Sequence, residues 1–93
     1  MKFMTSWSVP KENIPQAVAR FLSGEAPPAA GVTVLGRWHN TDFSGGYTLM
    51  ETDDPVAAYA EAAQWADLLD LSTVPVLEDA DVAPVLAKQF KKE

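Results

Sequence analysis

The chain has 93 residues, room for one compact domain over 1–93. Hydrophobic residues make up 47% and charged ones 22%, a globular composition, and the lack of cysteine excludes disulfides, thiolate metal sites and cysteine nucleophiles. Seven basic residues against 13 acidic ones give a net charge of −6, which disfavours a nucleic-acid backbone or an anionic membrane as partner.

Residues 2–9 alternate as a strand, with Phe3, Thr5, Trp7 and Val9 on one side and Met4, Ser6 and Ser8 on the other. Pro10 ends it. Asn13 is the predicted N-cap of a first helix, with Pro15 in its first turn and Gly24 as its stop. Ile14, Ala17, Val18, Phe21 and Leu22 follow the spacing of one buried helical face. Strands follow at 32–39 and 46–52, joined by the loop Asn40-Thr41-Asp42-Phe43-Ser44-Gly45. Asp53 or Asp54 caps a second helix with Pro55 just inside it, and Val56, Tyr59, Ala60, Ala63 and Ala66 form its expected packing face. Leu69 to Leu77 read as a fourth strand, which Pro75 assigns to an edge or a bulge. Asp81 is expected to cap a last short helix carrying Val82, Val85, Leu86 and Phe90 on one side, with Pro84 tolerated in its first turn.

The order β-α-β-β-α-β-α predicts an α+β, ferredoxin-like fold: an antiparallel four-strand sheet, both long helices on one face, and a C-terminal helix. Such a sheet leaves its other face open, where water would select polar side chains. Here both faces hold large apolar groups. The second strand sets Val32, Val34 and Trp38 against Thr33, Leu35, Arg37 and His39, and the third sets Tyr47 and Leu49 against Thr48 and Met50. An apolar patch of that extent predicts a two-fold homodimer through the open sheet faces. The competing expectation is a monomer whose last helix folds back over the sheet.

Charge is uneven along the chain. Residues 41–87 hold ten carboxylates and no Lys or Arg, so their ion pairs must come from the N-terminal third, the tail or a second copy. The start, Met1-Lys2-Phe3-Met4-Thr5-Ser6, lacks the apolar core of a secretory signal, and no window reaches the ~18 apolar residues of a membrane span. A cytoplasmic location without membrane contact is expected.

Candidate chemistry centres on the single histidine. His39 shares a strand side with Arg37, so a proton acceptor stands beside a cation able to clamp a carboxylate or phosphate. Asp42, Glu51 or Asp70 are the carboxylates that could orient it. The plainer account is a strand-end histidine capping the loop, with Arg37 bridging to the acidic segment. Glu51-Thr52-Asp53-Asp54 and Glu78-Asp79-Ala80-Asp81 each precede a helix, where capping accounts for them without a metal. Ser44-Gly45-Gly46 lacks the phosphate-loop pattern. Trp7, Trp38 and Trp65 either fill the core or line a ligand cavity, and Trp65 beside Asp67 is the pair best suited to hold a small aromatic or polar ligand.

Met1-Lys2-Phe3-Met4, Trp7-Ser8, Gly36-Arg37-Trp38-His39, Gly45-Gly46-Tyr47, Glu51-Thr52-Asp53-Asp54-Pro55 and Trp65-Ala66-Asp67-Leu68-Leu69-Asp70 resemble the bacterial domain-of-unknown-function family 3303, over roughly residues 1–90. The resemblance implies membership of the dimeric α+β barrel group, whose members include cofactor-free monooxygenases, haem-using enzymes and amino-acid-binding regulatory domains. Fold therefore does not select function. It carries no activity over to any residue here, and 93 residues leave little room for a haem bound through His39, so no cofactor is expected.

Three readings follow. The leading one is a small cytoplasmic homodimer that binds a small organic ligand between sheet and helices, using Arg37, Trp38, His39, Trp65 and Asp67. A second is a cofactor-independent monooxygenase or isomerase in which His39 accepts a proton and Arg37 stabilises an anion. A third is a structural or protein-interaction module with tightly packed tryptophans and no pocket beside His39.

Overall fold

The computed structural model describes residues 1–91. Its strands are β1 (Lys2–Ser8), β2 (Thr33–His39), β3 (Gly45–Glu51) and β4 (Asp70–Val76). Its helices are α1 (Ile14–Ser23), α2 (Pro55–Ala63) and α3 (Asp79–Gln89), with one turn of 3-10 helix at Lys11–Asn13. The strands form one antiparallel sheet in the order β2-β3-β1-β4. This is the expected α+β, ferredoxin-like arrangement, and Pro75 lies in an edge strand, where its missing N–H interrupts nothing.

The register separates the two faces. Phe3, Thr5 and Trp7 of β1 stand level with Met50, Thr48 and Gly46 of β3, and with Pro75, Thr73 and Leu71 of β4. This is the face that α1 and α2 cover. In β2 the pairing slips between Val34 and Gly36, so that Val34 is level with Met50, Arg37 with Thr48 and His39 with Gly46. The bulge corrects the simple alternation expected for this strand: Val34 joins Arg37 and His39 on the helix side, and Trp38, level with Tyr47, points away from them.

Beneath α2 the packing is tight. Met50 is 1% exposed and Ala58 3%, and they form a core with Phe3, against which Val32 packs. The buried side of α2 is Ala57, Ala58 and Glu61, while Val56 and Tyr59 face outward, so the expected face is rotated by one residue. Alanine at nearly every position gives this helix no strong apolar stripe, and contact with the sheet decides which alanines are covered. The Asp54 carboxylate accepts the Val56 N–H at 2.9 Å and caps the helix as anticipated.

The open face carries Met4, Leu49, Val74 and Val76 around two rings. Trp38 is 55% exposed, Tyr47 48% and Val74 50%. The Trp38 indole lies over Gly36, where an added Cβ would come within 2.5 Å of the ring.

Helix α3 does not fold back over that face. None of its residues is buried, and Phe90 is 72% exposed with Val85 and Leu86 also exposed. The radius of gyration is 16.2 Å, against about 12 Å for a compact chain of this length. The helix begins earlier than expected: Glu78 is the N-cap, the Asp81 carboxylate accepts its backbone N–H at 3.0 Å, and Pro84 therefore falls in the second turn. Lys2 pairs with Glu78 at the root of the helix.

Candidate functional site

Helix α1 covers the sheet differently from α2. Of its apolar side only Ala17 is buried; Val18 and Phe21 remain partly exposed, and Leu22 points to solvent. Polar ties fasten both ends. The Asn13 side chain, found without the predicted capping bond, donates instead to the Leu68 carbonyl at 3.0 Å. Near the other end the Arg20 guanidinium donates to both Asp67 oxygens at 2.8 Å and to the Gln64 carbonyl at 2.8 Å, with its charge 5.4 Å from the Trp65 ring centre. These bonds hold the Asp67 carboxyl below the usual carboxylate range, the Arg20 hydrogen bond being the main cause.

Between α1 and the sheet lies a cavity of about 320 Å³, within the range of small-molecule sites. Its walls are largely apolar, with Trp7, Val18, Phe21, Phe43, Trp65 and Leu71 prominent. Trp7 comes from β1, Val18 and Phe21 from α1, and Trp65 from the turn after α2. Phe43 comes from the β2–β3 loop. It adopts a left-handed backbone at φ 69°, uncommon for a residue other than glycine. Gly45 closes the loop where no side chain fits, since a Cβ there would collide with the Trp7 carbonyl oxygen.

Arg37 and His39 both line this space. Their partners are rings. The Arg37 charge is 5.7 Å from the Phe21 ring centre, and His39 stands edge-on to Trp7 at 5.4 Å and to Phe21 at 5.6 Å. Among the described residues neither is in an ion pair. The carboxylates considered as partners for His39 are engaged or placed elsewhere. Asp42 accepts from Ser44, and those bonds lower its pKa. Glu51 and Asp70 pair in register with Lys2 and Ser8, on the open face. Among the described residues Arg37 likewise makes no bridge to the acidic segment.

Of the five side chains proposed from sequence, Arg37, His39 and Trp65 come together at the cavity, and Trp38 and Asp67 do not. Strand alternation turns Trp38 to the opposite face; Arg20 draws Asp67 into the tie that holds α1. Trp7, one of the three tryptophans weighed as core or cavity lining, lies in the wall, and the cavity also includes residues not anticipated for a site: Phe21, Phe43 and Glu61. Phe21 was legible in principle, since it lies on the apolar side of α1. Glu61 is 8% exposed, its Oε2 accepting the Ala29 N–H and the Gln64 amide at 3.1 Å each.

The family described as Domain of unknown function (DUF3303) matches residues 1–90, and the chain belongs to it. No curated protein matches the chain. Among solved structures it is similar in fold to Rv0793 from Mycobacterium tuberculosis, with a TM-score of 0.51 and 12% identity over 85% of this chain and 97% of that one. No helix of the described residues is long and apolar enough to cross a membrane.

Proposed function

We propose that this DUF3303 chain binds a small organic molecule in the cavity between its sheet and α1. The observation that carries the reading is the cavity itself: about 320 Å³ walled by apolar and aromatic side chains, with Arg37 and His39 lacking ionic partners among the described residues. A concave, mostly apolar cleft of that size with a few polar groups is the usual form of a small-molecule site, the polar groups orienting the bound molecule. A structural module without a pocket beside His39 does not account for this space. Isothermal titration with 2-naphthol tests the reading. Saturable binding is expected, abolished by Val18→Phe, which fills the cavity from α1. Absence of saturable binding, or binding that Val18→Phe leaves intact, overturns it.

The functional unit in this proposal is a homodimer joined through the open sheet faces. Two observations favour it. Trp38, Tyr47 and Val74 are about half exposed on a face that no helix among the described residues covers, and Val85 and Leu86 of α3 and Phe90 just after it are unburied. A second copy offers cover to both surfaces at once. Light scattering at micromolar concentration is expected to give twice the 10.1 kDa chain mass, and Trp38→Lys to give the single mass. A single-chain mass for the unmodified protein ends the dimer proposal.

A further inference from the structure

The cavity contains two charged groups that do not neutralise each other. Arg37 enters from β2, on the wall formed with Phe21 and His39. Glu61 enters from α2, and no ion pair joins the two. Both hydrogen bonds to Glu61 fall on Oε2. Its Oε1 takes none among the described residues, yet no buried side-chain oxygen is left without a partner, so Oε1 must reach accessible space. The lining thus includes a donor fork on Arg37 without an ionic partner and, on Glu61, an acceptor oxygen that takes no bond among the described residues, together with several rings.

The rings narrow the choice further. Trp7 and Phe21 already hold His39 edge-on, and Phe43 and Trp65 also line the space. A flat aromatic body meets such walls in the offset or edge-to-face contacts that rings prefer. The overall charge of −6 repels anions from the molecule at large, so an anionic ligand needs local compensation. Among the residues lining the cavity Arg37 is the only Lys or Arg.

Resting on the ligand-binding reading above, we infer that the occupant is a small aromatic carboxylate bearing a hydrogen-bond donor away from its carboxylate. The carboxylate accepts from the Arg37 guanidinium, the ring fills the space among the aromatic side chains, and the donor, a hydroxyl or amine, is received by Glu61 Oε1. A charge-assisted hydrogen bond of this kind is worth about tenfold or more in affinity.

The test is isothermal titration of the full chain with three probes: 4-hydroxyphenylacetate, 4-hydroxyphenylacetamide and phenylacetate. The hydroxy acid is expected to bind about tenfold tighter than its amide, and several-fold tighter than phenylacetate, which lacks the donor. Arg37→Met, at an exposed position where folding is not at risk, is expected to bring acid and amide within about twofold of each other, in line with loss of one charge-assisted bond. Circular dichroism and thermal unfolding of the variant confirm that it is folded. Equal binding of acid and amide while 2-naphthol still binds overturns the ligand class and leaves the cavity reading standing. Failure of all three probes together with 2-naphthol overturns both. An Arg37→Met variant that weakens acid and amide equally overturns the role given to Arg37.

Discussion

Helices α2 and α1 lie over one sheet face and meet it with side chains of opposite size. Beneath α2, Ala57 and Ala58 let the helix approach closely, and Met50 and Phe3 are sealed against it. Beneath α1, Ile14, Val18 and Phe21 face the sheet across a space of about 320 Å³, and the helix is anchored by Asn13 and Arg20 rather than by burial. One half of the layer supplies the packed core and the other an enclosure. The division lets residues around the cavity vary without dismantling the part that holds the fold together.

The largest expected effect belongs to the packed half. Met50→Ala removes the most completely buried large side chain and is expected to cost about 2–5 kcal/mol, a large fraction of a small domain's stability. Urea denaturation measures it. Phe21→Ala, on the cavity side and already half exposed, is expected to cost about 1 kcal/mol in the same assay while markedly weakening 2-naphthol binding. If the two substitutions cost the same, the contrast between the halves is wrong. Val18→Phe sharpens it: enlarging a side chain in a packed core costs about 1–3 kcal/mol, but here the new ring enters open space and the unfolding midpoint is expected to hold or rise.

The smallest effect concerns the Arg20–Asp67 tie. Because the folded-state pKa of Asp67 is depressed below 3.8, its contribution to stability is fully present above that pH and is lost as the pH falls through the folded value. Asp67→Asn is expected to lower the melting temperature slightly at neutral pH and to flatten the fall in stability below pH 3.8. Asp42, lowered by its Ser44 hydrogen bonds, retains part of that acid dependence. The pair is solvent-exposed, which keeps the effect small. Thermal melts from pH 2 to 7 read it; an unchanged acid limb would show that the tie does not hold α1.

Much of this architecture was legible from period and punctuation. Strand β1 alternates in its buried residues Phe3 and Thr5; Pro10, Gly24 and Pro55 mark element boundaries, and the order of elements suffices for the sheet topology. Three features were hidden for identifiable reasons. The slip between Val34 and Gly36 leaves no mark in a run of strand-forming residues, yet it changes which neighbours Val34 shares. An alanine-rich α2 does not advertise its buried side. Asp67 was grouped with Trp65 because they adjoin in sequence, whereas its partner Arg20 is 47 positions away. Trp38 illustrates the opposite lesson: alternation alone separates it from Arg37 and His39, and proximity in the chain was the poorer guide.

Both borders of the sheet carry an interruption. On β4 it is Pro75, whose ring occupies the place of an amide that an incoming strand would need; on β2 it is the irregular step at Val34–Gly36. Borders so spoiled are poor templates for lateral growth, so a chain rich in exposed apolar groups is steered away from edge-to-edge ribbons and fibrils.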